Sequence, residues 1–285
     1  MKLTEKSHSK THRVLVYGGP KSGKTELVGR LAEKYNLLWF DLENGYETLM
    51  KLPREWQERI NLISLPDTRS YPIAIETLLK VIRGTKVEIC EAHGKVSCAL
   101  CKKDSLPVSV IELSSLPEDT IVVVDSLTQL TNSAIANITK NQPEDYKLQY
   151  DDWGNLGKLM DIFLSHVQQA RYNIVCISHE VEAEQEDGKT KLFPVAGTRN
   201  FSRNTAKYFD HVVYAEVKNR KHIFASTTTY APNILTGSRT DVTLEKDEKP
   251  SLLSIFTENN KEKVGETERT KALLARLPQQ KEIAK

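Results

Sequence analysis

An α/β fold built on a mostly parallel central sheet is predicted by three features of the sequence. Short, continuous apolar runs recur along the chain, among them Val14–Tyr17, Leu37–Phe40, Ile121–Val124 and Ile174–Ile177, and such runs mark strands buried on both faces. Stretches with apolar residues at helical spacing lie between them, the order that crossover connections impose on parallel strands. The first run leads directly into a loop of the pattern G-x-x-x-x-G-K-[ST], filled by Gly18, Gly23, Lys24 and Thr25, which cradles phosphate when it joins a strand to a helix.

Composition narrows the rest. The 285 residues, 39% of them hydrophobic, can bury one large or two small cores. No apolar run approaches the roughly 20 residues needed to cross a bilayer, so no membrane partner is expected. Residues Met1 to His12 are polar and basic, without the apolar segment of a secretory signal, and a cytoplasmic location is expected. With a net charge of +2, contact with nucleic acid must come from a local patch. The 4 cysteines are read for metal before disulfides in a reducing compartment.

The elements follow in order. The strand from Arg13 ends in the loop Gly18, Gly19, Pro20, Lys21, Ser22, Gly23, Lys24 and Thr25. Its glycines let successive N–H groups turn inward, Lys24 reaches the β- and γ-phosphates, and the Thr25 hydroxyl suits Mg²⁺. Leu27, Val28, Leu31 and Ala32 give the following helix, and a chance glycine turn is the competing reading. Strands are expected at Asn36–Leu42, Ile60–Leu65, Ile121–Val124 and Asn173–Ser178. A helix is expected at Ile73–Ile82, and Trp153, Leu156, Met160, Phe163, Val167 and Ala170 form a core-facing helical stripe. His211–Val217 and His222–Thr228 read as two strands around the polar turn Lys218–Lys221, an antiparallel C-terminal extension of the sheet. From about Asn259 the chain reads as a marginal helix or a disordered tail.

Asp125 closes the apolar run Ile121–Val124, where an acid can hold Mg²⁺ across from Thr25; the alternative is a helix cap. Ser126 follows it, so the Asp-Glu pair by which many ring ATPases position water is absent. The candidate base is therefore Glu43, at the carboxyl end of the second strand, where α/β sheets form binding crevices; a solvated loop acid beside Asn44 and Gly45 is the competing reading.

Between residues 84 and 116 lie two x₂-spaced pairs, Cys90/His93 and Cys98/Cys101, a donor set that closes a tetrahedral zinc site. The segment is too short and polar for a core of its own, so zinc would fold it, as a knuckle projecting from the sheet. Three buried thiols and a surface histidine would be the structural alternative. Cys176, on an expected buried strand, reads as a small hydrophobe.

Gly18–Thr25, Asp41-x-Glu43 and Val122–Ser126 together resemble the ATPase core of the RecA recombinase superfamily. The resemblance implies a RecA-like P-loop fold, with ATP and Mg²⁺ as cofactors and Lys24, Glu43, Asp125 and His179 as catalytic residues. His179, after Ile174–Ser178, stands where the recombinases carry a γ-phosphate-sensing Gln. Val217–Lys221 resembles a basic hairpin that reaches a neighbouring subunit's nucleotide, with Lys218 and Arg220 acting in trans; a solvated turn explains it equally. The likeness covers about residues 12 to 230, and in size and motif order the chain is similar to small phage-encoded ATP-binding proteins, including single-strand annealing recombinases, which would place it in the host cytoplasm. The implied organisation is a flexible N-terminus (1–11), an ATPase core (12–230) carrying the zinc insertion (84–116), and a partly disordered C-terminal extension (231–285).

Glu180 to Tyr208 reads as a loop in which Lys189, Lys191, Arg199, Arg203 and Lys207 alternate with Phe193 and Phe201, a mixture that can hold single-stranded DNA. Glu182, Glu184, Glu186 and Asp187 in the same stretch would repel phosphate. The expected function is an oligomeric, ATP-dependent protein of DNA recombination or strand annealing, with a single-strand-binding or replication protein as a possible partner. The alternatives are an ATPase motor or loader acting on a protein, and a small-molecule kinase, for which no arginine-rich lid is evident.

Overall fold

The computed structural model describes residues 11–68, 71–184, 188–239, 243–244 and 250–257. The expected tail from Asn259, like Glu186 and Asp187, lies outside these residues. β1 (Arg13–Gly18) feeds the phosphate loop and α1 (Lys24–Gly29), followed by β2 (Asn36–Asp41), α2 (Arg54–Gln57), β3 (Ile60–Ser64) and α3 (Ile73–Val81). Next come β4 (Val87–Cys90), α4 (Ala99–Lys103), β5 (Val108–Ile111), β6 (Thr120–Asp125), α5 (Leu127–Thr139), α6 (Tyr150–Gln169) and β7 (Asn173–Ser178). β8 (Glu180–Glu184), β9 (Thr190–Pro194), α7 (Arg199–Asn204), β10 (His211–Lys218), β11 (Lys221–Ala225), β12 (Gly237–Ser238) and α8 (Leu253–Thr257) complete the order.

The central sheet runs β11-β10-β1-β7-β6-β2-β3. All its pairings from β10 to β3 are parallel, so the carboxyl ends of β1, β7, β6 and β2 share one edge. The antiparallel extension starts one strand later than expected. β10 lies parallel to β1, and only β11 and β12 pair antiparallel, both with β10. A hairpin is visible in local pattern, but which older strand its first arm joins is a non-local choice.

Strand alternation divides the core into two layers. Val14, Val16, Leu37, Trp39, Ile121 and Val123 point to the α1 side. Leu15, Leu38, Phe40, Val122 and Val124 point to the opposite side, where Leu78, Leu130, Met160 and Phe163 of α3, α5 and α6 cover them. Trp153 departs from its expected core position. It is 43% exposed, and Tyr150 one turn earlier is 91% exposed, because the first turn of α6 lies outside the packed layer.

Two segments correct the sequence reading. Residues 84–116 contribute Val87, Ile89, Val96, Ile111 and Leu113 to the main core, so this insertion is partly built into the domain. Thr77 of α3 donates a hydrogen bond of 2.8 Å to the Gly94 carbonyl, and a Cβ on Gly94 would stand 2.9 Å from the Ser64 carbonyl oxygen. The knuckle is therefore docked on the end of β3 and does not project freely. Glu180–Tyr208, expected as a loop, holds the β8–β9 hairpin and α7. Its strands are polar on one face, and Ala183 and Phe193 are buried on the other, a pattern too short for periodicity to separate from a loop.

Candidate active site

Backbone shape at the end of β1 depends on two glycines. Gly18 has φ 152°, and a Cβ there would lie 2.0 Å from the Ala215 carbonyl oxygen of β10. Gly23 caps α1 in the left-handed region, with φ 89°, and a Cβ would meet the His222 ring at 3.0 Å. A side chain at Gly18 would collide with the β10 backbone, and at Gly23 it would be strained by the left-handed φ and crowd the His222 ring.

The buried Lys24 ammonium donates to the carbonyls of Gly18 (2.9 Å) and Gly19 (2.7 Å). Burial pulls its pKa below the ordinary lysine value, while the charges of Asp125, Glu43 and Glu180 act the other way. The Thr25 hydroxyl donates to Asp125 Oδ2 at 3.1 Å. Asp125 is 4% exposed. Burial, then the charges of Glu43 and Asp41, push its carboxyl up to about 7, since both disfavour the ionised form. A hydroxyl and a buried carboxylate facing each other are oxygen donors of the kind Mg²⁺ takes, and a divalent charge would restore the ionised form.

Glu43 turns into this crevice. Its Oε1 accepts from the Ser126 hydroxyl, and its Oε2 lies 3.3 Å from His179 Nε2. Burial raises its pKa, but the hydrogen bonds from His179 and Ser126, with the charges of His179 and Lys24, outweigh that and leave it below the ordinary glutamate value. His179 is held in turn, its backbone N–H donating to Thr128 Oγ1 at 2.8 Å. Beside the Glu43–His179 pair, which lines it together with Asp41, a polar cavity of about 590 Å³ opens toward Asn44, Asp67, Gln129 and Asn132.

Sheet register explains the convergence. Asp41 is the register partner of Asp125, Asp125 of Ile177, and Tyr17 of Ser178, so Gly18, Glu43, Ser126 and His179 all leave the same edge. Sequence reasoning missed two acids here. In the sequence Asp41 stands only as the first letter of D-x-E. Glu180, whose Oε1 would stand 3.2 Å from a Cβ on Gly19, is indistinguishable in sequence from its exposed neighbours Glu182 and Glu184.

The remaining predicted residues fall into three groups. Cys90, His93, Cys98 and Cys101 offer ligand atoms within 4.8 Å of one another. His93 Nδ1 is 3.1 Å from Cys101 Sγ and 3.8 Å from both Cys90 and Cys98 Sγ. Bonds of about 2.0 Å to nitrogen and 2.3 Å to sulfur place tetrahedral edges at roughly this length. Lys218 ends β10 and Arg220 sits in the two-residue turn to β11, both exposed, on the edge that carries the phosphate loop. Lys189, Arg199, Arg203 and Lys207 are exposed, while Lys191 is half-buried with its ammonium 5.9 Å over the Phe193 ring. The aromatics meant to accompany them are committed elsewhere: Phe193 is buried, and Phe201 stacks on Tyr208. Cys176 is fully buried in β7, as expected.

A family model described as an AAA domain matches residues 10–251. The chain belongs to the AAA domain family. This AAA domain protein carries its phosphate loop on a mostly parallel α/β sheet with antiparallel strands at one end. No curated protein matches it. Among solved structures it is similar to a prototypical ATPase from the type III secretion system of pathogenic bacteria, at 12% identity and TM-score 0.39, over 72% of this chain and 51% of that one. It is also similar to a KaiC-like protein from the hyperthermophilic archaeon Pyrococcus horikoshii, at 11% identity and TM-score 0.36, over 75% of this chain and 77% of that one. The chain thus spans about half the length of the secretion ATPase. No helix among the described residues is long and apolar enough to cross a membrane.

Proposed function

We propose that this AAA domain protein is a Mg²⁺-dependent ATPase of the RecA type that assembles into an oligomer and acts on single-stranded DNA in recombination or annealing. The observation that carries the reading is the contact between Glu43 and His179 at the mouth of the phosphate crevice. Glu43 orients the attacking water as base, while Lys24, with the Mg²⁺ held by Thr25 and Asp125, neutralises charge on the transferring phosphoryl group. His179 is bonded to Glu43 through its ring and to Val195 through its carbonyl. It therefore links the γ-phosphate position to the β8–β9 hairpin, whose Lys189 and Lys191, with Arg199 and Arg203 of α7, form the DNA-facing group. Lys218 and Arg220, on the exposed β10–β11 turn, complete a neighbour's site in the assembly. The core runs from 12 to 230, with extensions on either side and a cytoplasmic location.

Cys90, His93, Cys98 and Cys101 hold a structural zinc ion. Its knuckle packs on Ser64 and Leu65, which line the cavity beside Glu43, so the ion braces that wall. Material purified without chelator is expected to carry about one zinc per chain. Cys101→Ser is expected to lose zinc and to lower the thermal midpoint, and metal analysis showing none in the parent protein would remove this part of the reading.

One observation favours a second reading, an ATPase motor or loader acting on a protein partner. Phe193 and Phe201 are unavailable for base stacking, and Glu182 and Glu184 are exposed on β8. ATPase rate measured against protein concentration, with and without single-stranded DNA, on zinc-replete protein separates the two. The first reading expects a specific activity that rises with concentration and again with DNA. A rate indifferent to DNA and raised by a replication or single-strand-binding protein would support the second.

A further inference from the structure

We infer that Asp41 is a working member of the magnesium site, with one carboxylate oxygen holding the loop that presents Glu43 and the other directed to the water shell of the ion held by Thr25 and Asp125. The inference rests on the magnesium–ATP reading above and extends it to a residue with no role there.

Its first oxygen is accounted for. Asp41 Oδ1 accepts the backbone N–H groups of Glu43 and Gly45, each at 3.1 Å, and so fixes the turn that brings the Glu43 carboxylate back over the sheet edge. The second oxygen has no donor. Asp41 is 2% exposed, yet its Oδ2 lacks a hydrogen-bond partner among the described residues, and buried carboxylate oxygens without a donor are costly enough to require an explanation.

Placement supplies one. Asp41 and Asp125 are register partners on adjacent parallel strands, about 4.8 Å apart. Two and four residues before them, Trp39, Leu37, Val123 and Ile121 pack with Val14, Val16 and Leu27 on the α1 side. Strand alternation therefore puts both carboxylates on the face where α1 carries Thr25. A turn cap alone does not account for the arrangement, since asparagine or serine would hold the same N–H groups without setting a second acid beside Asp125. Water bound to a divalent cation is a strong donor, and outer carboxylates of this kind orient and tighten metal sites.

The test is a Mn²⁺ titration followed by electron paramagnetic resonance, on full-length protein with a non-hydrolysable ATP analogue. Wild type is expected to show a nucleotide-dependent Mn²⁺ site that Asp125→Asn abolishes; absence of that site in wild type would sink the magnesium–ATP reading, and Asp41's role with it. In Asp41→Asn the amide oxygen can still accept from Glu43 and Gly45, while its NH₂ presents donors to the ion's water. Its Mn²⁺ affinity should fall by about tenfold or more, with nucleotide affinity in EDTA and the thermal midpoint preserved and turnover partly recovered at saturating metal. Wild-type Mn²⁺ affinity in Asp41→Asn overturns the inference, whatever happens to turnover, and leaves Asp41 as a turn cap. Should Asp41→Asn not fold, Asp41→Ser, which keeps a short acceptor for the turn, must show the same loss of Mn²⁺ affinity.

Discussion

Glu43→Gln is expected to bind ATP as the parent protein does and to turn it over about 10²- to 10⁴-fold more slowly, the usual worth of a positioned general base. The replacement keeps size and shape. Its amide oxygen can still accept from the Ser126 hydroxyl, as Glu43 Oε1 does, so the loop held by Asp41 and the nucleotide grip of Lys24 are undisturbed. What disappears is the basic lone pair facing the crevice. The hydrogen bonds that hold Glu43 below its ordinary value of 4.5 also set a sign. A base with a lowered pKa remains ionised at every pH above that value, so turnover should show no acid limb from Glu43 between pH 5 and 8, on the order of physiological range. Single-turnover hydrolysis and a nucleotide-binding titration decide the matter. Turnover near the parent rate in Glu43→Gln would move the base to another residue.

Lys24→Ala should act on binding itself. The ammonium occupies the loop's interior, donating to the Gly18 and Gly19 carbonyls, and burial already disfavours its charge. A triphosphate adds counter-charge to this desolvated cation beyond that of Asp125, Glu43 and Glu180, so the ion–phosphate contact is strong. A charge-assisted bond of roughly 2–3 kcal/mol corresponds to a rise of about 30- to 150-fold in the dissociation constant. Lys24→Arg should not restore affinity, because a planar fork cannot follow a single ammonium between two carbonyls. Fluorescent-nucleotide titration is the check, and parent-like affinity in Lys24→Ala would refute the assigned grip.

The two sets of residues behind these predictions were not equally legible. Gly18, Gly23, Lys24 and Thr25 act through contiguous backbone, so their spacing alone announces the loop. Glu43 could be nominated from its place after an apolar run, but its contacts to Ser126 and His179 join residues 83 and 136 positions away, and no local pattern encodes that. Cys90, His93, Cys98 and Cys101 were readable because paired x₂ spacing is itself the geometry of a turn around an ion. Their docking against Ser64 and Thr77 was hidden, since Gly94 reveals its close approach only once β3 and α3 are in place.

The sequence by itself determined the parts whose conformation is local: short apolar strands, helical stripes, the phosphate loop and the knuckle. Tertiary structure alone decided the lateral order of the strands, the parallel pairing of His211–Lys218 with β1, the exposure of Trp153 and the meeting of Asp41, Asp125 and Glu180 at one edge. The reason is physical. Periodicity reports which faces of a segment are buried, whereas neighbours in a parallel sheet are chosen by crossover connections and by the shared burial of distant segments, so carboxylates far apart in sequence become an enclosed charge cluster only when the strands are laid side by side.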